Sequence, residues 1–263
     1  MHRRLLRISP LYGRISRAGE ELDRLNREAI QWHADCVRVR PEVRANPAFG
    51  DFFVEISKPA PTVRWATALG GILHSLRSTL DNLVYALRVL DSGWRGLNRD
   101  KLAFPICLSK ADYRGKSYMI AGLSDDHRAK IEGLQPYRRS NPPHSDLLWC
   151  LSSLNNADKH KLLPVTVFSH HAGRFRVTRT RPGTGQVPLP IPGFKAGPVE
   201  HGTRLAWYYM PLIEDGMIVQ YEPTFSISVD HRGTRLDTDE LVRDLIKEVF
   251  GVLGQFYPDF PDC

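Results

Sequence analysis

The chain has 263 residues, 42% hydrophobic and 25% charged, which is the make-up of an ordinary globular protein long enough to bury a substantial core. No run of about 18 apolar residues occurs, so no membrane span is expected, and the basic opening MHRRLLRISPLYGRI lacks the continuous apolar stretch and cleavage site of a secretory signal. The net charge of +7 suits a nucleic-acid partner, yet arginine outnumbers lysine 27 to 9 and the excess is spread from Arg3 to Arg181, as a GC-rich genome produces without selection for binding.

Four cysteines, Cys36, Cys107, Cys150 and Cys263, are scattered with no C-x-x-C pair and read as free thiols of a reducing cytoplasm.

The first helix is expected over about 17–35, where Leu22, Leu25, Ala29 and Trp32 recur at helical spacing. CVRVRPEV and FFVEIS alternate like strands and read as a hairpin with a long loop, ended by Pro59 and Pro61. A long helix follows from about Pro61 to Leu90, with Gly93 as its stop. LAFPICLS reads as an extended connector. A short helix follows, with Ser124 as N-cap and Gly133 and Pro136 at its end. Another helix is expected from about Asp146 to Leu162. The character then changes: LLPVTVF, GRFRVTRT, TRLAWYYM, GMIVQYE and TFSISVD read as five strands. The Pro- and Gly-rich RPGTGQVPLPIPGFKAGPVEHG between the second and third reads as loop. A terminal helix starts at a capping-box-like Asp237 and Glu240. HGTRL and HRGTRL echo each other without making a repeat architecture.

This order implies one α+β domain over 1–263, with a central helical bundle, an N-terminal β-hairpin, a C-terminal antiparallel sheet and a terminal helix. Its parts are a helix and hairpin (17–58), a helical core (61–163), a β-rich part (164–236) and a C-terminal helix (237–257).

Within the long helix, Leu69, Ile72, Leu73, Leu76, Leu80, Leu83, Val84, Leu87 and Leu90 share one arc, which must be core. His74, Arg77, Ser78, Asp81, Tyr85 and Arg88 share an opposing arc of about 100°. A solvated face is the simple reading of that second stripe. Against it, the stripe has none of the Lys, Glu and Gln that such faces favour, and Arg77 and Asp81 stand four residues apart, one turn after His74. A compact Arg, Asp and His group can bind an anion or move a proton.

In DLLWCLSSLNNADKHKLL, Leu147, Leu148, Leu151, Leu154 and Leu162 define the apolar face, and Asn155 and Asp158 share it while His160 points away. A carboxylate turned inward must be paired or protonated, with Arg77 or His74 as its candidate partner. Two uses remain open: a lock between two helices, or a polar pocket. The catalytic candidates are His74, Arg77, Asp81, Asp158 and His160, and the binding set is Arg77, Ser78, Asn82, Asn155 and Lys159.

LHSLRSTLDNLVYAL, then FPI, LQPY and LWCLSSLNNADKHKLL, resemble a widespread, uncharacterised bacterial family with an L-H-N-L-R-S-x-L-D-H-L helix, F-P-I, Q-P-Y and N-x-D-K-H-R. The resemblance covers about residues 60 to 165 and implies no function. The pattern is also faintly similar to the HEPN group of helical proteins, many of them metal-independent ribonucleases, whose signature is an Arg followed after four to six residues by a His. Here Arg77 fits, but Asn82 stands where the His is required after a four-residue gap, and an amide is no general base near neutral pH.

Walker-type and dinucleotide-binding glycine loops, H-E-x-x-H and the G-x-S-x-G elbow do not occur. His170 and His171 are neighbours on an expected strand, so they face opposite sides and make a poor chelate. Trp207, Tyr208 and Tyr209 have the chemistry to stack bases or to pack a sheet. No metal and no cofactor are expected. The expected partners are a nucleic acid or phosphate-bearing ligand and a second copy of the chain, with no membrane. The functional expectation is a cytoplasmic bacterial binding or interaction protein with a polar cluster between two core helices, or else a HEPN-like metal-independent ribonuclease or RNA-binding protein.

Overall fold

The computed structural model describes residues 8–93, 101–180, 189–214 and 216–260, with side chains for all of these except residues 169–172. The basic start, the 181–188 portion of the Pro- and Gly-rich stretch, Cys263 and the imidazoles of His170 and His171 lie outside the described residues. The fold is α+β, with seven α-helices and two antiparallel sheets among those residues. The chain gathers into two compact units that cut across the four consecutive parts of the sequence division. The helical unit takes the chain up to Leu25, Val63–Leu163 and the residues from Asp239; the β-rich unit takes Asn26–Thr62 and Pro164–Thr238.

In the helical unit, α1 (Ser9–Cys36) starts at Ser9 rather than near residue 17. Pro10 sits in its first turn, where a missing N–H leaves no bond unmade. Ile8, Leu11, Ile15, Ala18, Leu22 and Leu25 continue one buried stripe. This part of α1 lies antiparallel to α7 (Thr238–Phe256): Tyr12 meets Phe250 with ring centroids 5.1 Å apart, and Asp23 pairs with Arg243 at 3.3 Å. Leu241, Leu245, Val249, Val252 and Phe256, at helical spacing on the terminal helix, are all buried.

The long helix α2 (Thr62–Ser92) buries its expected stripe from Leu69 to Leu87. It stops at Gly93, whose φ of 68° and N–H bond of 2.9 Å to the Val89 carbonyl make the left-handed terminator that glycine permits. Two short helices, α3 (Lys110–Gly115) and α5 (Pro136–Arg139), are additions to the sequence reading, because four to six residues are too few to display a period. Between them, α4 (Asp125–Gly133) has the expected Ser124 cap, which accepts the His127 N–H at 3.3 Å. Finally α6 (Leu147–His160) is capped by Asp146, which accepts the Leu148 N–H at 2.9 Å. The Asp146 carboxylate also takes Arg139 from α5, and Arg139 reaches on to Glu248 of α7 at 2.6 Å.

The β-rich unit is a two-layer sandwich. The hairpin β1 (Val37–Val43) and β2 (Phe49–Ile56) pairs as expected, Val37 opposite Ile56. It joins β6 (Arg204–Tyr209) and β4 (Ile191–Phe194) in the order β1-β2-β6-β4. The second sheet is β5-β3-β7-β8, from β3 (Val165–Arg179), β5 (Gly197–Pro198), β7 (Met217–His231) and β8 (Thr234–Asp237). Phe52 of one sheet packs against Phe175 and Tyr221 of the other at 5.6 and 5.5 Å between ring centroids, which fixes the two inner faces.

Three expectations change here. LLPVTVF with GRFRVTRT, and GMIVQYE with TFSISVD, are not four strands but two of fifteen residues each. The apparent breaks, Gly173 and Pro223, lie opposite one another at a register irregularity, where a residue without an N–H costs the ladder least. The Pro- and Gly-rich stretch is not all loop, since it supplies β4 and β5. Pro192 is tolerated because β4 is an edge strand. Gly193 is required because the Trp207 indole lies where its Cβ would be. The echo HGTRL and HRGTRL marks two turns, with positive φ at Gly202, Arg232 and Gly233, each leading into a strand through Thr-Arg-Leu.

Candidate functional site

Arg77 and Asp81 stand one turn apart on α2, and both close on the backbone of one residue, Phe104. Arg77 Nη2 donates to Asp81 Oδ1 at 2.8 Å and to the Phe104 carbonyl at 2.6 Å, while Asp81 Oδ1 accepts the Phe104 N–H at 2.9 Å. The pair therefore satisfies both polar groups of Phe104, whose ring is fully buried. One residue on, the Pro105 carbonyl accepts Gln135 Nε2 at 2.9 Å, and the same amide nitrogen donates to the Ile131 carbonyl at the end of α4. Burial pulls the Arg77 pKa down, and the Asp81 carboxylate acts in the opposite direction. Arg77 Nη1 is buried with no hydrogen-bond partner.

The expected Arg77–Asp158 pairing does not form. The Asp158 carboxylate instead lies against the backbone of Gly70, so close that a Cβ there would stand 2.6 Å from Asp158 Cγ. Two helical turns, roughly 10 Å of rise, separate Gly70 from Arg77 on α2. Arg77 is taken by Asp81, and His74, the other candidate partner, is exposed and makes no ion pair with Asp158. The wheel reading holds in part: Asn155 is buried and Asp158 faces α2, but through a glycine and not through a charge. The stretches around Arg77, Phe104, Gln135 and Asp158 thus form one set of touching parts.

The remaining candidates separate. Ser78 Oγ donates to the Ser75 carbonyl at 3.0 Å and accepts from Arg14 of α1 at 3.2 Å. Asn82 Nδ2 donates to the Ser78 carbonyl at 2.8 Å, one turn back on its own helix. Lys159 and His160 are exposed at the end of α6. Among the described residues, no group of three or more His, Cys, Asp or Glu side chains is arranged to hold a metal. Cys36, Cys107 and Cys150 are buried, and none of the three is in a disulfide. Burial pushes the thiols of Cys107 and Cys150 up to about 11, which keeps them protonated and poorly nucleophilic near neutral pH.

One polar constellation escaped the sequence reading. His127 of α4 is buried between two carboxylates, with Nδ1 2.8 Å from Asp91 Oδ2 and Nε2 3.4 Å from Asp259 Oδ2. Asp91 also accepts the Ser124 N–H at 2.7 Å, and Asp259 receives Lys130 at 2.5 Å. Nothing in the local pattern announces it, because its members are far apart in sequence. It fastens the turn after α7 to α4, and no nucleophile stands beside it in these contacts.

In the β-rich unit, Trp32, Ile56, Pro59, Val167, Val199 and His201 line a largely apolar cavity of about 400 Å³. His201 Nδ1 accepts the Ile56 N–H at 3.1 Å, and Trp32 donates its indole N–H to the Lys58 carbonyl at 3.1 Å.

Comparison with family models, curated proteins and solved structures returned no match. Among the described residues, no helix is long and apolar enough to cross a membrane.

Proposed function

We propose that this is a cytoplasmic bacterial binding or interaction protein whose Arg77 cluster holds the helical unit together, leaving ligand contact to other surfaces. One observation carries this reading. The two hydrogen bonds of Arg77 Nη2 go to Asp81 and to the Phe104 carbonyl, so a phosphate could engage this nitrogen only by orphaning a buried peptide oxygen. Asn82 supports the same view: its side chain is bonded to its own helix and is an amide, which offers no general base at the position where the HEPN-like pattern needs a His.

The second reading, a HEPN-like metal-independent ribonuclease or RNA-binding protein, is favoured by the exposed edge of α2. His74 lies in solvent there, and Arg14 is held against Ser78 one turn further on. The deciding experiment is incubation of the purified chain with a labelled RNA in EDTA, wild type beside His74→Ala, an exposed position whose truncation leaves the fold intact. Intact RNA with both proteins is the expected result. Cleavage by wild type that is lost in His74→Ala would reverse the order of the two readings.

A further inference from the structure

The outward face of the sheet β1-β2-β6-β4 is built unlike an ordinary solvated face. Alternation from the buried Phe52 and Val54 turns Phe49, Asp51, Phe53 and Glu55 of β2 outward. Opposite them on β6 stand Tyr209 beside Phe49, Trp207 beside Asp51 and Arg204 beside Phe53. On β1, Arg40 stands beside Phe53 and Glu42 beside Asp51. Four aromatic rings therefore share one exposed layer. Trp207 and Tyr209 are 37% and 38% exposed, so part of each residue meets solvent.

The arginines are interleaved with these rings. The Arg204 guanidinium carbon lies 4.5 Å from the Trp207 ring centroid, and that of Arg40 lies 5.5 Å from Phe53. Phe49 and Tyr209 stack at 4.6 Å with 25° between their planes. Asp51, nearly buried at the centre, holds two guanidinium groups: Arg44 in a forked pair at 2.6 and 3.0 Å, and Arg204. Gly193 leaves its side-chain space to the Trp207 indole. A face needing only to meet water has no use for aromatic rings placed between fixed guanidinium groups.

Resting on the reading of this chain as a binding protein, we propose that this sheet face binds single-stranded RNA, with bases stacked on Trp207 and Tyr209 and phosphates met by Arg40, Arg44 and Arg204. Stacking needs unpaired bases, because a duplex hides their faces. Guanidinium groups held by a carboxylate and by rings present N–H donors to phosphate with little further ordering. Glu42 and Glu55 each pair with Arg40 through one oxygen, at 3.2 and 3.0 Å, and their second, exposed oxygens are acceptors that a 2′-hydroxyl can donate to and a deoxyribose cannot, which favours RNA over DNA.

The test is fluorescence anisotropy of the full chain with a 5′-labelled 12-nucleotide single-stranded RNA in EDTA, each sample afterwards run on a denaturing gel. The expected result is saturable binding that weakens with added salt and is weaker for the DNA of the same sequence and for the RNA duplex. Trp207→Ala should weaken it about tenfold, the order of one lost stacking contact, and Trp207→Phe should restore most of it. Thermal melting of each variant excludes unfolding as the cause. A flat anisotropy with intact RNA, equal binding of duplex or DNA, or unchanged binding by a folded Trp207→Ala overturns this inference and leaves the binding reading standing for another partner, such as a protein. Cleaved RNA on the gel counts against the non-catalytic reading alone.

Discussion

The Asp158 carboxylate occupies the side-chain space of Gly70: a Cβ placed on that glycine would lie 2.6 Å from Asp158 Cγ. Glycine in a helix interior ordinarily costs about 1 kcal/mol relative to alanine. Here it is tolerated because α6 comes that close to α2.

Gly70→Ala therefore lowers the melting temperature of the wild-type chain, since the displaced carboxylate outweighs the helical gain. In an Asp158→Ala background the same substitution stabilises, by about 1 kcal/mol. A double-mutant cycle by urea denaturation reads the coupling directly, and additivity of the two changes would remove the contact from consideration. Asp158 has no ion pair among the described residues, so Asp158→Asn alone stays within about 0.5 kcal/mol of wild type.

Arg77→Ala strips the Phe104 carbonyl of its donor and leaves the half-buried Asp81 without its ion pair, at a cost of about 1.5–3 kcal/mol, the range for hydrogen bonds to a charged group. Arg77→Lys recovers part of this, because a single ammonium group reaches one acceptor well and the second poorly. Asp81→Asn costs less than Arg77→Ala, as the amide oxygen still accepts the Phe104 N–H. Equilibrium denaturation ranks the three, and a ranking with Asp81→Asn worst would contradict the geometry.

Acid weakens the β-rich unit through Asp51. The Arg44 hydrogen bond, opposed by desolvation and assisted by Arg204, holds its pKa below the ordinary 3.8. A carboxylate with a depressed folded-state pKa stabilises the fold above its unfolded value and loses that contribution as the pH falls through the folded one. Asp51→Asn should thus be less stable than wild type at pH 7, by about 1.5–3 kcal/mol. The difference should shrink below about pH 4. Urea titrations at pH 7, 4 and 2.5 measure it; a gap that widens in acid would reverse the assignment.

Cys107 and Cys150, with thiols pushed up to about 11, hold roughly one part in a thousand as thiolate at pH 8. Iodoacetamide at that pH should leave both unmodified in the native protein and label both in urea, as read by peptide mass spectrometry. Rapid native labelling of Cys107 would place it in an open site.

Local chemistry made much of the helical unit legible. The leucine stripe of α2, the Gly93 stop and the Ser124 cap each depend on residues within a turn or two, so spacing alone carries them. The same logic fails for α3 and α5, which are shorter than two helical periods, and for β4, whose strand state comes from pairing with β6. Arg77 and Asp81 were recognisable as a pair for the same reason. Their target was not, because Phe104 lies 27 residues from Arg77.

The sequence alone determined where the polar stripes fall, since side-chain direction along a helix or strand follows from fixed backbone periods. Only tertiary structure decided what each stripe faces. It turned Arg77 onto a peptide unit, Asp158 onto a glycine and Trp207 into an exposed layer of rings and arginines, through contacts set by which distant segments pack together.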